Sequence, residues 1–515
     1  MSERIEQNAT EHRFSSRLGL LLSVLGIAVG TGNIWRFPRI AASNSGDDGA
    51  GMFLIAWLVF LFAWSIPLII AEYALGRKGR MGVVGTFAQI AGKRYTWMGA
   101  FVAFVATAIM FYYSVVAGWC LYYFITTVSE PLPLTLEASR ATWEGFQTSG
   151  LPAVFHAAAM FGGALAVWRG VKSIERVNKI LIPALFVIVL IAFVRSVTLD
   201  GASAGLRFLF TPDWSTAKDP RLWLEALTQN AWDTGAGWGL ILTYGAYMRR
   251  SQGVVKNAFI TGAGNNIVSL IAAATIFGTV FAILGSQLGQ TETLQIMRDS
   301  GPASTGLTFY WMPQLFQQMA GGRVMAILFF LGLSFAAFSS LISMIELATR
   351  VFVDLGFQRS RAIALVCLSA FLLGIPSAIS LDLLGNDHLA ILGNQDFVWG
   401  VALMISGAFV AFSVIRFGAE RFRMEAIAGG DGDWTVGRGY DRVITMLVPI
   451  QAIVLLVWWL YLSASAYAPD SWYNPMDPYS VATCVVQWGI VLAVFIGLNK
   501  RLADATLRHR PLVEG

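Results

Sequence analysis

Charge disappears from long stretches of this chain. None lies between Asp48 and Glu72, between Arg94 and Glu130, between Lys256 and Glu292, or between Arg323 and Glu346. Each gap exceeds the 18 or so apolar residues that carry a helix across a bilayer. Only 13% of the 515 residues are charged and the mean hydropathy is +0.62, whereas soluble domains carry about 25% charged residues. A water-soluble surface cannot be built from this chain, so its partner is the lipid bilayer. The net charge of +5 is no nucleic-acid signal, because the basic residues sit in short loops between apolar blocks. Cys120, Cys367 and Cys484 fall inside those blocks and read as small core-filling thiols. The first apolar block follows a charged segment and lacks the pattern of a cleaved secretory signal.

The blocks predict about twelve spans, near residues 18–43, 50–76, 97–127, 152–168, 178–196, 223–248, 255–286, 322–353, 361–379, 395–416, 441–466 and 478–499. Alternate loops are basic: Arg77, Lys78, Arg80, Lys93 and Arg94; Arg169, Lys172, Arg176 and Lys179; Arg249, Arg250 and Lys256; Arg350, Arg359 and Arg361; Arg421, Arg423, Lys500, Arg501 and Arg508. Asp47, Asp48, Glu130, Glu137, Asp200, Asp213, Asp219, Asp382, Asp387, Asp470 and Asp477 fall on the other side. The positive-inside rule then places both termini in the cytoplasm. The expected location is the bacterial inner (plasma) membrane, crossed many times. The polar loop between the fifth and sixth spans has room for small helices on the outer face.

Two spans differ from the rest. The first contains Gly26, Gly30 and Gly32 before Asn33; the sixth contains Asp233 and then Gly235, Gly237 and Gly239. Glycine weakens a helix by up to about 1 kcal/mol relative to alanine. Two glycine-interrupted helices five spans apart fit two five-helix repeats of inverted topology. The chain then divides into a first repeat over 17–198, a second over 221–418, and two additional helices over 440–501, all within one transmembrane domain spanning 1–515. Unwinding frees backbone N–H and C=O groups, which need ions, water or substrate at membrane depth. Glycines can also serve close helix packing alone; two such spans in register, each beside an intramembrane Asn or Asp, argue for a site. Glu72, Asp233, Asn265, Asn266, Ser339, Ser340 and Glu346 also lie within apolar spans. An ionisable group there marks a functional candidate; the serines also suit back-bonding within their own helix, and Glu346 lies close to a helix end, where a structural role fits better.

These residues carry a family resemblance. Arg17-Leu18-Gly19 followed by Gly30-Thr31-Gly32-Asn33-Ile34-Trp35-Arg36-Phe37-Pro38 resembles the first-helix signature of the neurotransmitter:sodium symporters. Glu72-Tyr73-Ala74-Leu75-Gly76-Arg77 is similar to the end of that family's second helix, and Phe210-Thr211-Pro212-Asp213-Trp214 with Trp223 and Gln229 to its approach to the sixth. The resemblance covers nearly the whole chain. It implies an all-α membrane protein of the LeuT type, with a 5+5 inverted repeat, broken helices 1 and 6, and two C-terminal helices.

The resemblance also implies a function: sodium-coupled symport of a neutral, apolar amino acid by alternating access. It implies two sodium sites. The first would use the Ala28 carbonyl, Asn33, Asp233 and Asn265. The second would use the carbonyls of Gly26, Val29 and Ala336 and the hydroxyls of Ser339 and Ser340. All-oxygen sets of this kind suit a hard cation. Tyr113 and the Thr31 and Gly32 amides would meet the substrate carboxylate. Ile109, Trp232, Gly235, Trp238, Ser340 and Met344 would line the side-chain pocket. Gly30 stands where the monoamine branch has an aspartate, which favours a free α-carboxylate. Arg36 and Asp396 resemble an outer gate, with Phe37 or Trp238 as its lid. Asp354 resembles the inner gate acid, yet its N-terminal partner reads as Glu11 before Phe14, with Arg13 as a substitute.

Asp233 replaces a Ser or Thr of many relatives. Gln229 and Ser269, two elements of the family's chloride site, are present, but Trp57 replaces the tyrosine. The carboxylate is therefore expected to supply the negative charge, and chloride is not expected. A membrane enzyme is disfavoured: there is no His/Cys metal cluster, nucleophile elbow or phosphate loop. Of the four histidines, His12 and His509 are in the tails, His388 in an outer loop, and His156 alone in a span, where packing is the simpler role. A non-transporting sodium/amino-acid sensor on the same fold is the alternative, separated from a transporter by flux. The residues leave stoichiometry, oligomeric state and the identity of the amino acid open.

Overall fold

In bilayer, backbone polar groups must be paired within the segment, and the uncharged blocks accordingly become helices. The computed structural model describes residues 13–298, 306–379 and 389–508. Glu11, His12, Asp382, Asp387, His388 and His509 lie outside the described residues. Nine helices are long and apolar enough to cross a membrane: α2 (Gly51–Gly79), α3 (Lys93–Ser129), α5 (Val171–Val197), α7 (Val255–Arg298), α8 (Gly322–Asp354), α9 (Arg359–Ala378), α10 (Ala390–Phe417), α11 (Arg438–Tyr467) and α12 (Val481–Arg508). The other three expected spans are special cases. Helix α1 is Arg17–Ala28 plus Gly32–Ser43, bent by 49°. Helix α4 is Leu151–Val167, 17 residues long. Helix α6 is Pro220–Asp233 and Leu240–Gly245 with six residues between.

The ends follow local chemistry. The Ser16 hydroxyl accepts from the Gly19 amide at 3.0 Å and starts α1. The Asp219 carboxylate accepts from the Arg221 amide at 2.8 Å, with Pro220 at the first helical position of α6. Both are the side-chain oxygens that orphan N–H groups require. The loop after α5 carries the expected short helix, Ala202–Phe210. Two further short helices on that face, Leu136–Gln147 and Met312–Gln317, fall in stretches whose periodicity gave no such expectation.

Burial sorts the helices into layers. In α3 and α7, 78% of the apolar window is buried within the protein, against 17% in α12. The first pair forms the interior and α12 faces lipid. Helix α8 packs along α3, and α1 lies against α5, α7 and α8. At the end bearing the basic loops, the Arg77 guanidinium donates to the carbonyls of Gln252 at 2.7 Å, Ala426 at 2.6 Å and both Ile427 and Ala428 at 3.0 Å. The Asp433 carboxylate accepts from the amides of Val254, Val255 and Lys256 at 2.6, 3.0 and 2.8 Å, capping α7. Cys120 and Cys484 are buried and all three thiols are free. The His156 Nε2 pairs with the Phe371 carbonyl at 3.1 Å and its ring stacks on Phe371, so it packs α4 against α9.

Candidate functional site

Both interrupted helices open at the same depth. In α1, the first half ends at Ala28; Val29 leaves the helical region with φ −82° and ψ 87°, and the second half begins at Gly32. In α6, Thr234–Gly239 is non-helical, with Gly235, Gly237 and Gly239 at φ 70°, 87° and 78°. Residues with a Cβ rarely adopt those angles. Glu72 of α2 stabilises this backbone. Its Oε1 accepts from the Gly237 amide at 2.6 Å and its Oε2 from the Leu242 amide at 3.0 Å. The intramembrane carboxylate is thus engaged with the unwound segment, and it is fully buried.

Oxygen atoms converge beside the breaks. One terminal atom of the Asn265 amide stands 3.0 Å from both the Ala28 and the Asp233 carbonyl oxygens. As a nitrogen, the orientation that satisfies both amide atoms, it donates to both carbonyls; as an oxygen it forms with them an acceptor cluster suited to a cation. Asn33 Nδ2 donates to this amide and to the Ser269 hydroxyl, each at 2.7 Å, and Asn33 Oδ1 accepts from the Gly30 amide at 2.8 Å. The Asp233 carboxylate is buried and short of donors. Its Oδ2 has Gln229 Nε2 and Ser269 Oγ at 3.5 Å, and its Oδ1 has no partner. A buried carboxylate with one oxygen unpartnered beside clustered carbonyls fits a cation such as sodium. Trp57 packs its ring 4.4 Å from that of Phe37, and its carbonyl accepts from Asn230.

The second cluster joins α1 to α8. The Ser340 hydroxyl donates to the Gly26 and Ile27 carbonyls at 3.3 and 3.4 Å, and the Ser339 hydroxyl to the Ala336 carbonyl at 3.0 Å. A Cβ on Gly26 would lie 3.1 Å from Ser339 Cβ. Val29 closes the first half-helix, which leaves its carbonyl outside the helical ladder.

Between the breaks lies a cavity of about 410 Å³. Ala28, Thr31, Gly32, Tyr113, Trp232, Gly235, Trp238, Ser340 and Met344 line it, together with Asn33, Asp233 and Gln229. Ile109 does not: it is fully buried, one turn before Tyr113, which occupies the wall instead. Thr31 directs its amide and hydroxyl to the Tyr113 hydroxyl at 3.4 and 3.3 Å. A Cβ on Gly30 would lie 2.9 Å from Ser340 Oγ and 3.2 Å from Tyr113 Oη. An aspartate at 30 therefore does not fit this arrangement. Trp238 meets Trp232 edge-to-face at 5.6 Å and donates to the Ala231 carbonyl.

The cavity continues past Arg36 and Asp396 to Trp459, Tyr467 and Tyr479. Arg36 stacks over the Trp232 ring at 4.9 Å, and Asp396 accepts from the Tyr112 hydroxyl at 3.0 Å. No ion pair joins Arg36 to Asp396 among the described residues. Phe37 is buried against Phe53 and Trp57, so of the two lid candidates only Trp238 borders the cavity. The other end is shut. Phe14 is 1% exposed, its ring 5.7 Å from Tyr244 and 6.5 Å from Tyr247. Asp354 does not meet Arg13: it pairs with Arg350 at 2.9 Å and accepts from the Gly82 amide at 2.6 Å. The N-terminal segment is held by Glu175 of α5 instead. That carboxylate accepts from the Ser15 amide and hydroxyl at 2.7 and 2.5 Å and from the Ser16 hydroxyl at 3.2 Å. Nearby, Glu346 accepts from the Tyr247 hydroxyl at 2.6 Å and pairs with Arg359.

Comparison with known proteins converges on one reading. A profile of the sodium:neurotransmitter symporter family matches residues 11–150 and 145–502. The chain belongs to this family. A Bacillus subtilis (strain 168) protein described as an uncharacterized sodium-dependent transporter is 27% identical over 462 residues, 86% of this chain and 97% of that one. The Drosophila melanogaster sodium-dependent serotonin transporter is 26% identical over 456 residues, 80% and 71%. The crystal structure of MhsT in complex with L-phenylalanine superposes with a TM-score of 0.73 at 30% identity, covering 86% of this chain and 99% of that one. The protein is a multi-pass sodium-dependent transporter with the LeuT-type fold expected from its sequence.

In this transporter, several residues at the site gave little sequence signal. Trp459, Tyr467 and Tyr479 come from the α11–α12 region, far along the chain from the glycine motifs. Glu175 sits in a basic stretch and reads as an ordinary loop charge. Phe14 lies outside any apolar block, and only the family's inner-gate pattern singled it out. Arg39 and Tyr112 each neighbour a predicted residue, and the helix register alone places them on the cavity.

Proposed function

We propose that the protein couples the inward sodium gradient to uptake of a neutral, apolar amino acid by alternating access, without chloride. The observation that carries this reading is the Asn265 amide between the Ala28 and Asp233 carbonyls, beside a buried carboxylate with one oxygen unpartnered and the other held only at 3.5 Å. Sodium there satisfies Asp233. The adjoining Thr31 and Gly32 amides and Tyr113 hydroxyl take the substrate carboxylate, since an N–H at the start of a half-helix favours an anion. Gly30 leaves room for that carboxylate where a side-chain acid does not fit. Trp232, Trp238 and Met344 give the pocket uncharged walls, which suit an apolar side chain, and the L-phenylalanine held by the similar MhsT supports an amino acid. A second sodium lies at Gly26, Val29, Ala336, Ser339 and Ser340. Asp233 sits between Gln229 and Ser269, the dipoles that would otherwise hold chloride. The basic loops face the cytoplasm of a bacterial inner membrane.

Sodium binding completes the substrate site; substrate draws Arg36 and Asp396 together; release of the Phe14 plug opens the inner path. The membrane potential adds ~2.3 kcal/mol per charge per 100 mV. Uptake of labelled amino acids into proteoliposomes, with chloride present or replaced by gluconate, tests this. Sodium-driven accumulation that survives gluconate is the expected result. Sodium-dependent binding without flux would instead make the protein a sensor.

A further inference from the structure

Two polar side chains on the cytoplasmic side of the second sodium site have no partner. Asn178 of α5 is fully buried, and neither its Oδ1 nor its Nδ2 is hydrogen-bonded; the hydroxyl of Ser23 in α1, also fully buried, is likewise unpaired. Buried polar atoms of this kind are rare and demand an explanation. Their position supplies one. A Cβ on Gly26 would meet Ser339 Cβ at 3.1 Å and Asn178 Oδ1 at 3.4 Å, so Asn178 flanks the same glycine whose carbonyl faces Ser340. Seven residues earlier on α1, and three earlier on α5, a Cβ on Gly19 would overlap the Glu175 carboxylate. Glycines 19 and 26 thus seat α1 against α5 at Glu175 and Asn178, and Ser23 lies between them on the α1 side of that seam.

Read from the membrane centre outward, the seam presents the Gly26 carbonyl with Ser339 and Ser340, then Asn178 with Ser23, then Glu175. Apolar residues at 23 and 178 would pack α1 on α5 equally well and leave no amide unpaired. We infer that Asn178 and Ser23 form a transit site for a partly hydrated sodium ion leaving the second sodium site, with Glu175 as its next acceptor. The amide oxygen and hydroxyl are neutral oxygen ligands, suited to a hard cation held briefly. In this structure Glu175 is engaged by Ser15, Ser16 and Lys179 (2.7 Å). A cation arriving at Glu175 competes with the serines that hold the N-terminal segment shut, which ties ion departure to opening of the inner gate. This rests on the sodium-coupled reading above.

The test uses the full chain in proteoliposomes, as wild type, Asn178→Leu and Asn178→Asp. Net uptake into sodium-free vesicles requires sodium release; exchange at equal, saturating sodium on both sides does not. Asn178→Leu is expected to slow net uptake about tenfold, the effect of one lost ligand, while leaving exchange near wild type. Asn178→Asp is expected to hold the ion, so that internal sodium inhibits net uptake at about a tenfold lower concentration. Equal loss of net uptake and exchange in Asn178→Leu would mean a packing role, and wild-type behaviour of both variants would overturn the inference outright. Hydrogen–deuterium exchange of residues 174–182 is read on the same preparations in detergent. If wild type transports nothing, the functional reading fails; sodium-dependent protection of that segment, lost in Asn178→Leu, still supports the site, and its absence overturns it.

Discussion

Replacing Asp233 by asparagine removes one charge and keeps the shape. The Asp233 backbone carbonyl is 3.0 Å from the Asn265 amide terminus, and its carboxylate lies 3.5 Å from Ser269; an ion in the cluster is taken to stand ~4 Å from the carboxylate. At an effective dielectric of 20 the attraction is about 4 kcal/mol. The asparagine oxygen retains part of this as a dipole, which leaves a net loss of about 2–4 kcal/mol, or roughly thirtyfold to a thousandfold in sodium affinity. The expected result for Asp233→Asn is a rise of that size in the sodium concentration needed for half-maximal substrate binding, measured on purified protein at fixed ionic strength. Asp233→Ser, which leaves space beside Gln229 and Ser269, is expected to recover part of the affinity when chloride is added. A shift of less than about threefold in Asp233→Asn, below 1 kcal/mol, would refute the electrostatic role. So would wild-type transport that needs chloride and keeps the same requirement in Asp233→Ser.

Three further outcomes follow from the geometry. Gly30→Ala puts a methyl 2.9 Å from Ser340 Oγ and 3.2 Å from Tyr113 Oη; such crowding costs about 1–3 kcal/mol, so equilibrium binding should show at least about a fivefold loss of substrate affinity with unchanged expression. Glu72→Gln leaves one acceptor for two backbone donors, Gly237 and Leu242; thermal-shift assays should show a clear fall in melting temperature, and an unchanged one would refute the bracing role of Glu72. Phe14→Ala empties the space between Tyr244 and Tyr247 at a cost of about 3–5 kcal/mol to the closed inner end; hydrogen–deuterium exchange over residues 17–28 should accelerate, and unchanged exchange would show that Phe14 is not the plug.

How far the sequence could be read depended on the range of the interaction. A helix falls in each of the twelve expected spans, nine of them long and apolar enough alone to cross a membrane, because each is specified by its own apolar block, and the breaks in α1 and α6 match because glycine acts locally. The convergence of Asn33, Asp233, Asn265 and Ser269 could be placed only through the family resemblance, since no local rule brings residues 33 and 265 together. Where the pattern departed from the family, register decided. Ile109 and Tyr113 differ by one turn of α3, and the turn that borders the cavity holds Tyr112 and Tyr113. Asp354 has an arginine four residues earlier on its own helix, and that neighbour, rather than a distant Arg13, takes its charge. Contacts such as Glu175 with Ser15 connect residues 160 positions apart; they leave no trace in periodicity.

The two ends of the cavity are in opposite states, and this constrains the transport cycle. At the outer end, Arg36 and Asp396 each have a neutral partner, the Trp232 ring and the Tyr112 hydroxyl. Bringing the two charges together replaces a cation–π contact and one hydrogen bond by an ion pair, so little stands between open and closed. At the inner end, opening must withdraw a buried phenylalanine from two tyrosines and break the hydrogen bonds of Ser15 and Ser16 to Glu175. Each hydrogen bond contributes about 1 kcal/mol net, more to a charged acceptor. On the proposed cycle the inner end would stay closed until outer closure and ion departure together offset that difference. A ligand shifts such an equilibrium only by its difference in affinity for the two states. In the proposed cycle the groups able to sense both states are those beside the breaks in α1 and α6, where Gly26, Ala28, Asn33 and Asp233 lie. On the proposed cycle the ions and the substrate would bind to the half-helices that rock, which is what coupling requires.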